Sequence, residues 1–199
     1  MIGSFFKPFY YIIIILIFLI LFITCFFTPV ISGYENIDRE IFDQITISSS
    51  GFAWPIPGYN TITSYFGKRN SPTALASSYH KGIDIGAPEG TNLIATIDGE
   101  ITFTGFLGGG GYTITLSKDN MKITYCHVSP NYIVQEGDIV KRGEIIGYVG
   151  PKYVYGVKGN TYYDSDGKPT NGATTGCHLH LGIRVNEEYV NPLNYYWII

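Results

Sequence analysis

Charge is scarce in this sequence: Asp, Glu, Lys and Arg together make up 15% of 199 residues, against roughly 25% in a typical soluble domain. The scarcity is partly local, because no charged residue occurs between Pro8 and Tyr34. Lys and Arg never form a run or a stripe interleaved with aromatics, which argues against a nucleic-acid partner. Cysteine is confined to Cys25, Cys126 and Cys177. Two cysteines beyond the uncharged stretch cannot build a disulfide-dense scaffold, so the rest of the chain has to fold on an apolar core. Beyond that stretch no segment sustains a 3.6-residue apolar period and no fixed-length repeat occurs, so neither long amphipathic helices nor a solenoid is expected.

The uncharged run Phe9 to Phe27 contains Ile, Leu, Phe, Tyr and Cys with one Thr. At about 1.5 Å per residue, a helix of that length crosses roughly 30 Å of hydrocarbon. The sequence therefore predicts a cytoplasmic N-terminus over 1–8, a transmembrane signal anchor over 9–31, a stalk over 32–52 with a helical turn near Asp38 to Gln44, and one domain over 53–199. Lys7 precedes the span and Glu35, Asp38, Arg39 and Glu40 follow it, so the domain is placed outside the cell membrane. Two other readings of the stretch, a signal peptide cut near Val30-Ile31-Ser32 and a lipoprotein leader ending at Cys25, also export the domain. The exported part from Ser32 carries 12 basic residues, leaving out Lys7, against all 16 acids.

From Ala53 onward, short β-branched and aromatic runs are separated by Gly, Pro, Asn and Asp. They are Thr61 to Phe66, Asn92 to Ile97, Glu100 to Thr104, Tyr112 to Ser117, Lys122 to Val128, Glu144 to Val149 and His178 to Val185. Alternation within them predicts a mainly β, antiparallel domain, with turns at Asp98-Gly99 and Glu136-Gly137-Asp138. The Gly-, Tyr- and Asn-rich segment 151–175 breaks the rhythm and reads as a long inserted loop. Gly108 to Gly111 is expected to be a hairpin tip, since no Lys-Ser/Thr follows it. Asp164-Ser-Asp166-Gly167 opens like a calcium loop but lacks the later ligands, so a turn is expected there. The run Val140 to Gly147 has a lipoyl-like pattern, yet no lysine sits in the hairpin such modules modify.

All four histidines fall in three places: His80-Lys-Gly-Ile-Asp84, Tyr125-Cys-His127 and His178-Leu-His180. On a strand, His178 and His180 emerge on one face about 6 to 7 Å apart, close enough to share a site. His80 and Asp84 would be about 13 Å apart if extended, but Gly82 allows a turn that folds them together. A His, a carboxylate and a further His supply three ligands and leave a fourth tetrahedral position for water, the pattern of a catalytic zinc site. Spacing does not say which member of the His-x-His pair binds the metal.

Taken in order, Trp54 to Arg69, His80 to Gly90, Tyr125 to Ser129, Glu136 to Gly147 and His178-Leu-His180 resemble the lysostaphin/LytM-type zinc metallopeptidases, which cut peptidoglycan. The resemblance spans about Ala53 to Tyr196 and implies a barrel-sandwich-like β fold. It also implies Zn²⁺ on His80, Asp84 and His180, with His127 and His178 as an unliganded catalytic pair. The implied substrate is a peptide of the peptidoglycan cross-links or stems. No protein partner is specified. Some relatives of this kind are silent wall-binding or regulatory scaffolds, and the complete set of five residues favours the enzyme over that role; a local wall-remodelling subunit of a secretion or conjugation apparatus would keep the same chemistry and change only the partner. Cys177 and the long insertion depart from the family pattern at the cleft rim. Because Cys126 and Cys177 each precede a histidine, alternation would turn both to the face away from the metal, where a disulfide could form. Tyr148, Tyr153, Tyr155, Tyr162 and Tyr163 are candidates for lining a substrate groove.

Overall fold

The computed structural model describes residues 12–22, 44–71 and 76–196. It forms two compact units, Met1–Gln44 and Ile45–Ile199. In the first, residues 12–22 are helical. At about 1.5 Å per residue that is roughly 16 Å of helix, about half a hydrocarbon core, and among the described residues no helix is long and apolar enough to cross a membrane. The expected span over 9–31 is therefore described only in part. The rest of it, Cys25, the Val30-Ile31-Ser32 site and the turn near Asp38 lie outside the described residues.

The second unit starts earlier than expected, within what the sequence suggested as stalk. Ile47 bridges to Ala53, the Ser48 hydroxyl donates to the Tyr195 carbonyl at 2.7 Å, and the Phe52 ring lies 4.9 Å from that of Tyr195. Phe52 is buried and joins the core, so residues 45–52 belong to the domain.

Among the described residues this unit is mainly β, with twelve strands: β1 (Ile62–Ser64), β2 (Gly67–Lys68), β3 (Tyr79–His80), β4 (Ile83–Gly86), β5 (Asn92–Ile94), β6 (Gly99–Phe106), β7 (Tyr112–Lys118), β8 (Met121–Cys126), β9 (Ile139–Val140), β10 (Ile145–Tyr148), β11 (His178–Val185) and β12 (Glu188–Val190). The main sheet runs β1-β4-β11-β8-β7-β6-β9, with β12 also on β11, while β10-β5 and β2-β3 form two small sheets. Every pairing is antiparallel.

Period-two alternation sorts the side chains of the main sheet. Ile83 and Ile85 on β4, Leu179, Leu181 and Ile183 on β11, and Ile123 and Tyr125 on β8 are fully buried in one cluster with Leu93, Ala95 and Ile146 of the β5–β10 region. Tyr125 fastens the two layers: its hydroxyl donates to the Ile94 carbonyl at 3.1 Å and accepts from the Thr96 amide at 3.0 Å. The other face of β4, β11 and β8 carries Asp84, His178, His180, Thr124 and Cys126. The strand β4, second from the edge of the main sheet, is not among the predicted strands, because Ile-Asp-Ile between two glycines is too short a run to signal one.

The insertion 151–175 is ordered by its own bonds. Tyr153 bridges to Thr170 and Tyr163 to Pro169, and the Tyr153 hydroxyl donates to Asp164 Oδ2 at 2.7 Å. Asp164 Oδ1 accepts from the amides of Asp166 and Lys168, both at 3.0 Å, making the expected turn. The tip after β6 is a short 3₁₀ turn over Gly108–Gly110.

Candidate metal centre and catalytic cleft

Strand register brings the polar face to a point. Asp84 of β4 pairs directly with His180 of β11, so their side chains leave the same face as neighbours. His80 arrives from β3, paired with β2 at Gly67, after a bend at Lys81-Gly82. Gly82 acts through space as well as through flexibility: a Cβ there would lie 2.3 Å from the Leu181 carbonyl oxygen and 2.8 Å from the His180 ring. No side chain fits between the bend and the histidine.

His80 Nε2 lies 2.8 Å from His180 Nδ1, His180 Nδ1 lies 2.9 Å from Asp84 Oδ1, and His80 Nε2 lies 3.1 Å from that same oxygen. These three residues form a group able to hold a metal ion. A tetrahedral zinc with ligands at about 2.0 to 2.2 Å keeps them roughly 3.3 Å apart, so a few tenths of an ångström of expansion would admit it. The donor chemistry fits too. His80 Nδ1 is 2.9 Å from the Tyr65 carbonyl, which can only accept, so the proton sits on Nδ1 and Nε2 presents its lone pair to the triad.

Burial by itself would raise the Asp84 carboxyl, but the imidazoles of His178, His180 and His80 packed against it outweigh burial and hold the group well below the usual carboxylate range. Arg69 Nη1 adds a bond to Asp84 Oδ2 at 3.0 Å and another to the Ser64 hydroxyl at 2.6 Å, fixing the carboxylate from behind. The sequence gives Arg69 no role within the Trp54 to Arg69 segment, and only the fold reveals its partner.

His127 and His178 lie beside the triad with ring centroids 4.7 Å apart. His127 was expected on a strand, but β8 ends at Cys126 and His127 has φ 59°, a left-handed conformation that interrupts alternation. Its amide donates to Gly110 O at 2.8 Å, and its Nδ1 donates to the Asn171 carbonyl at 2.6 Å. His178 Nδ1 donates to the Gly176 carbonyl at 2.9 Å. His127 Nε2 is thereby left for the cleft, while His178 Nε2 lies 3.6 Å from Asp84 Oδ1. Burial first, then the neighbouring His178 and His180, push His127 down to about 3, so it stays neutral. Burial likewise lowers His180.

Asn171 was missed, since a residue acting through its backbone leaves no mark in sequence. It is fully buried, and its side chain accepts from the Tyr112 amide at 2.7 Å and donates to the Val128 carbonyl at 3.0 Å. The insertion thus buttresses His127 rather than only edging the cleft.

Two expectations are corrected here. Cys126 and Cys177 are both free thiols. Cys126 pairs with His180 across β8 and β11, so it shares the face of Asp84 and His180; the left-handed turn at His127 is what defeats the alternation. Burial pushes its thiol up to about 12, which makes it a neutral filler. The tyrosine cluster does not line the cleft: Tyr153 lies under Lys152 and Lys168, and Tyr155 and Tyr163 are exposed on the insertion. The tyrosines that line the cleft, about 900 Å³ in volume, are Tyr79 and Tyr189.

Residues 78–192 match the sequence model described as "Peptidase family M23". The chain belongs to peptidase family M23. The chain is 36% identical over 137 residues to the "DD-carboxypeptidase/endopeptidase Mpg" of Neisseria meningitidis, an alignment covering 68% of this chain and 27% of that protein. It is 28% identical over 148 residues to the "Murein hydrolase activator NlpD" of Escherichia coli, covering 73% of this chain and 31% of that one. The chain therefore spans only about a quarter to a third of these M23 relatives. In structure it is similar to the catalytic domain of lysostaphin from Staphylococcus simulans, with TM-score 0.54 and 28% identity over 69% of this chain and 91% of that one.

Proposed function

We propose that this M23 domain is a zinc-dependent endopeptidase that hydrolyses peptide bonds of bacterial peptidoglycan. The observation that carries the reading is the convergence of His80, Asp84 and His180 donor atoms within 3.1 Å of one another, with two further imidazoles beside them. His80 Nε2, Asp84 Oδ1 and His180 Nδ1 would hold the ion. When bound, zinc polarises the scissile carbonyl and lowers the pKa of water toward 7.

His127 and His178 do the proton work. Each donates Nδ1–H to a backbone carbonyl, which fixes the ring and leaves Nε2 as the reactive nitrogen. One Nε2 takes the proton of the attacking water and passes it to the leaving amine. The other role, donating an Nε2–H to the oxyanion developing on the substrate carbonyl, needs a ring that has taken a proton from solvent and keeps it when the oxyanion collapses; the burial that keeps His127 neutral leaves this role to His178. Arg69 keeps Asp84 ionised and oriented as these charges change. The uncharged stretch over 9–31 anchors the domain to the outer face of the cell membrane in this reading, supported by its composition and by the acidic residues that follow it.

The test is zinc analysis of the purified chain together with digestion of purified peptidoglycans of differing cross-bridge, the new ends read by mass spectrometry. One zinc per chain and new peptide ends that vanish in His180→Ala are expected. Retained zinc without new ends would instead support a silent scaffold, a role compatible with the likeness to a protein named as an activator.

A further inference from the structure

We propose that the wall of the cleft built by Lys81, Arg184 and Tyr189 is a subsite for a free carboxylate of the substrate peptide. The inference rests on the hydrolase reading for what enters the cleft, but its chemistry is carried by separate residues.

The charge distribution is lopsided. The whole chain has a net charge of −3, yet the charged residues lining the cleft are Arg69, Lys81 and Arg184 against Asp84 alone. Arg69 is spent on Asp84, so Lys81 and Arg184 remain. Such a concave patch of one sign, on a chain of the other, draws an oppositely charged ligand to itself.

The strand positions these cations along a track from the metal. His180, Gly182 and Arg184 alternate on one face of β11, which places Arg184 about 13 Å from His180 along the strand. Gly182 keeps the floor between them low: a Cβ built there would sit 3.8 Å from His180 Nε2 and 3.7 Å from the Tyr189 ring. Tyr189 pairs with Arg184 from β12, and its ring carries two cations, Lys81 Nζ at 5.0 Å and the Arg184 guanidinium carbon at 5.5 Å from its centroid. A peptide lying along β11 from the metal would bring a group roughly four extended residues from the scissile bond against this wall.

Apart from the buried Arg184 Nε, these donors are little used within the chain. Lys81 Nζ makes no ion pair or hydrogen bond among the described residues. Arg184 uses Nη1 alone, for Glu187 Oε2 at 3.1 Å. Glu187 is 62% exposed and also engages Lys122, so two cations share one solvated carboxylate, Lys81 stands beside them unpaired, and a net positive charge remains. Glu188 pairs with Val185 and points to the opposite face from Tyr189, so it does not neutralise the wall. A guanidinium fork beside an ammonium suits a carboxylate. Peptidoglycan stem peptides carry free carboxylates, whereas oligoglycine bridges do not.

The test uses zinc-loaded full-length chain and non-cleavable product peptides in matched pairs, one with free carboxylates and one with the same groups as carboxamides. Calorimetry should show tighter binding of the carboxylate form, and the preference should weaken with salt. Lys81→Gln and Arg184→Gln should each lower the carboxylate-to-carboxamide preference by roughly tenfold, the scale of one charge-assisted hydrogen bond. Lys81 is exposed and its replacement leaves the core intact, so that variant remains informative if Arg184→Gln folds poorly. Equal binding of both peptide forms, or an unchanged preference in Lys81→Gln, overturns the proposal, as does stronger binding of a glycerol-phosphate oligomer than of the carboxylate peptide. Hydrolysis of wall peptides with no carboxylate preference would sink the subsite and spare the hydrolase; a carboxylate preference with no hydrolysis would do the reverse.

Discussion

His80, Asp84 and His180 owe their positions to the sheet. Asp84 and His180 are register partners on β4 and β11, and the bend at Gly82 delivers His80. The rings of His127 and His178 are held differently: His127 Nδ1 bonds the Asn171 carbonyl, and His178, although it opens β11 opposite Gly86, has its Nδ1 fixed by the loop carbonyl of Gly176 and the Thr174 hydroxyl. Main-chain ladders are cooperative and hard to shift, whereas a loop carbonyl is only as fixed as the loop that carries it. The proposed metal site should therefore tolerate changes in the insertion, and the catalytic pair should not.

The largest effect should come from breaking the ladder-held half. Asp84→Ala removes one donor and strands Arg69, so zinc content should fall to background and hydrolysis by at least about 10³-fold, read by metal analysis and peptide turnover. In the loop-held half, His127→Ala or His178→Ala should cost about 10² to 10⁴ in turnover while zinc stays bound. Loss of zinc in either variant would erase the division between the two halves.

Smaller changes sharpen the comparison. Gly82→Ala forces a Cβ to 2.3 Å from the Leu181 carbonyl, and should lower both stability, by about 1 to 3 kcal/mol, and zinc affinity. Asn171→Ala keeps the carbonyl that holds His127 but loses the bonds to Tyr112 and Val128. It should lower kcat by roughly tenfold with KM and zinc content unchanged. Equal losses from Asn171→Ala in zinc and in kcat would mean that the insertion supports the whole site.

The apolar face of the sheet should respond least, and only at high pH. Burial raises the Tyr125 hydroxyl far above its usual value, against bonds to Thr96 that lower it. A raised folded pKa means that its contribution is fully present below about pH 10, the unfolded value, and is lost as pH climbs above it. Denaturant titrations should show stability falling by about 1.4 kcal/mol per pH unit there, with a shallower slope in Tyr125→Phe.

Much of the site was legible because its residue types are rare. Four histidines in three clusters left few ways to build a metal centre, and His-x-His on a strand shares a face whatever the sheet does around it. The β class was legible for the same reason, since alternation is a local property. Local rules failed at three points. Alternation was carried through His127, whose left-handed backbone ends it, and this misplaced Cys126. The strand β4 was too short to announce itself. The tyrosines of the insertion were assigned to a groove, though Tyr153 is engaged with Lys152, Lys168 and Asp164.

What the sequence determined by itself was composition and period: a charge-poor stretch followed by a β domain, and the side chains able to bind a metal or move a proton. What only the tertiary structure decided was pairing across long separations. Asp84 meets Arg69 and His180, Asn171 reaches back to His127, and Lys81 and Arg184 converge on Tyr189, because strand register and loop closure bring together residues whose distance along the chain carries no information about their distance in space.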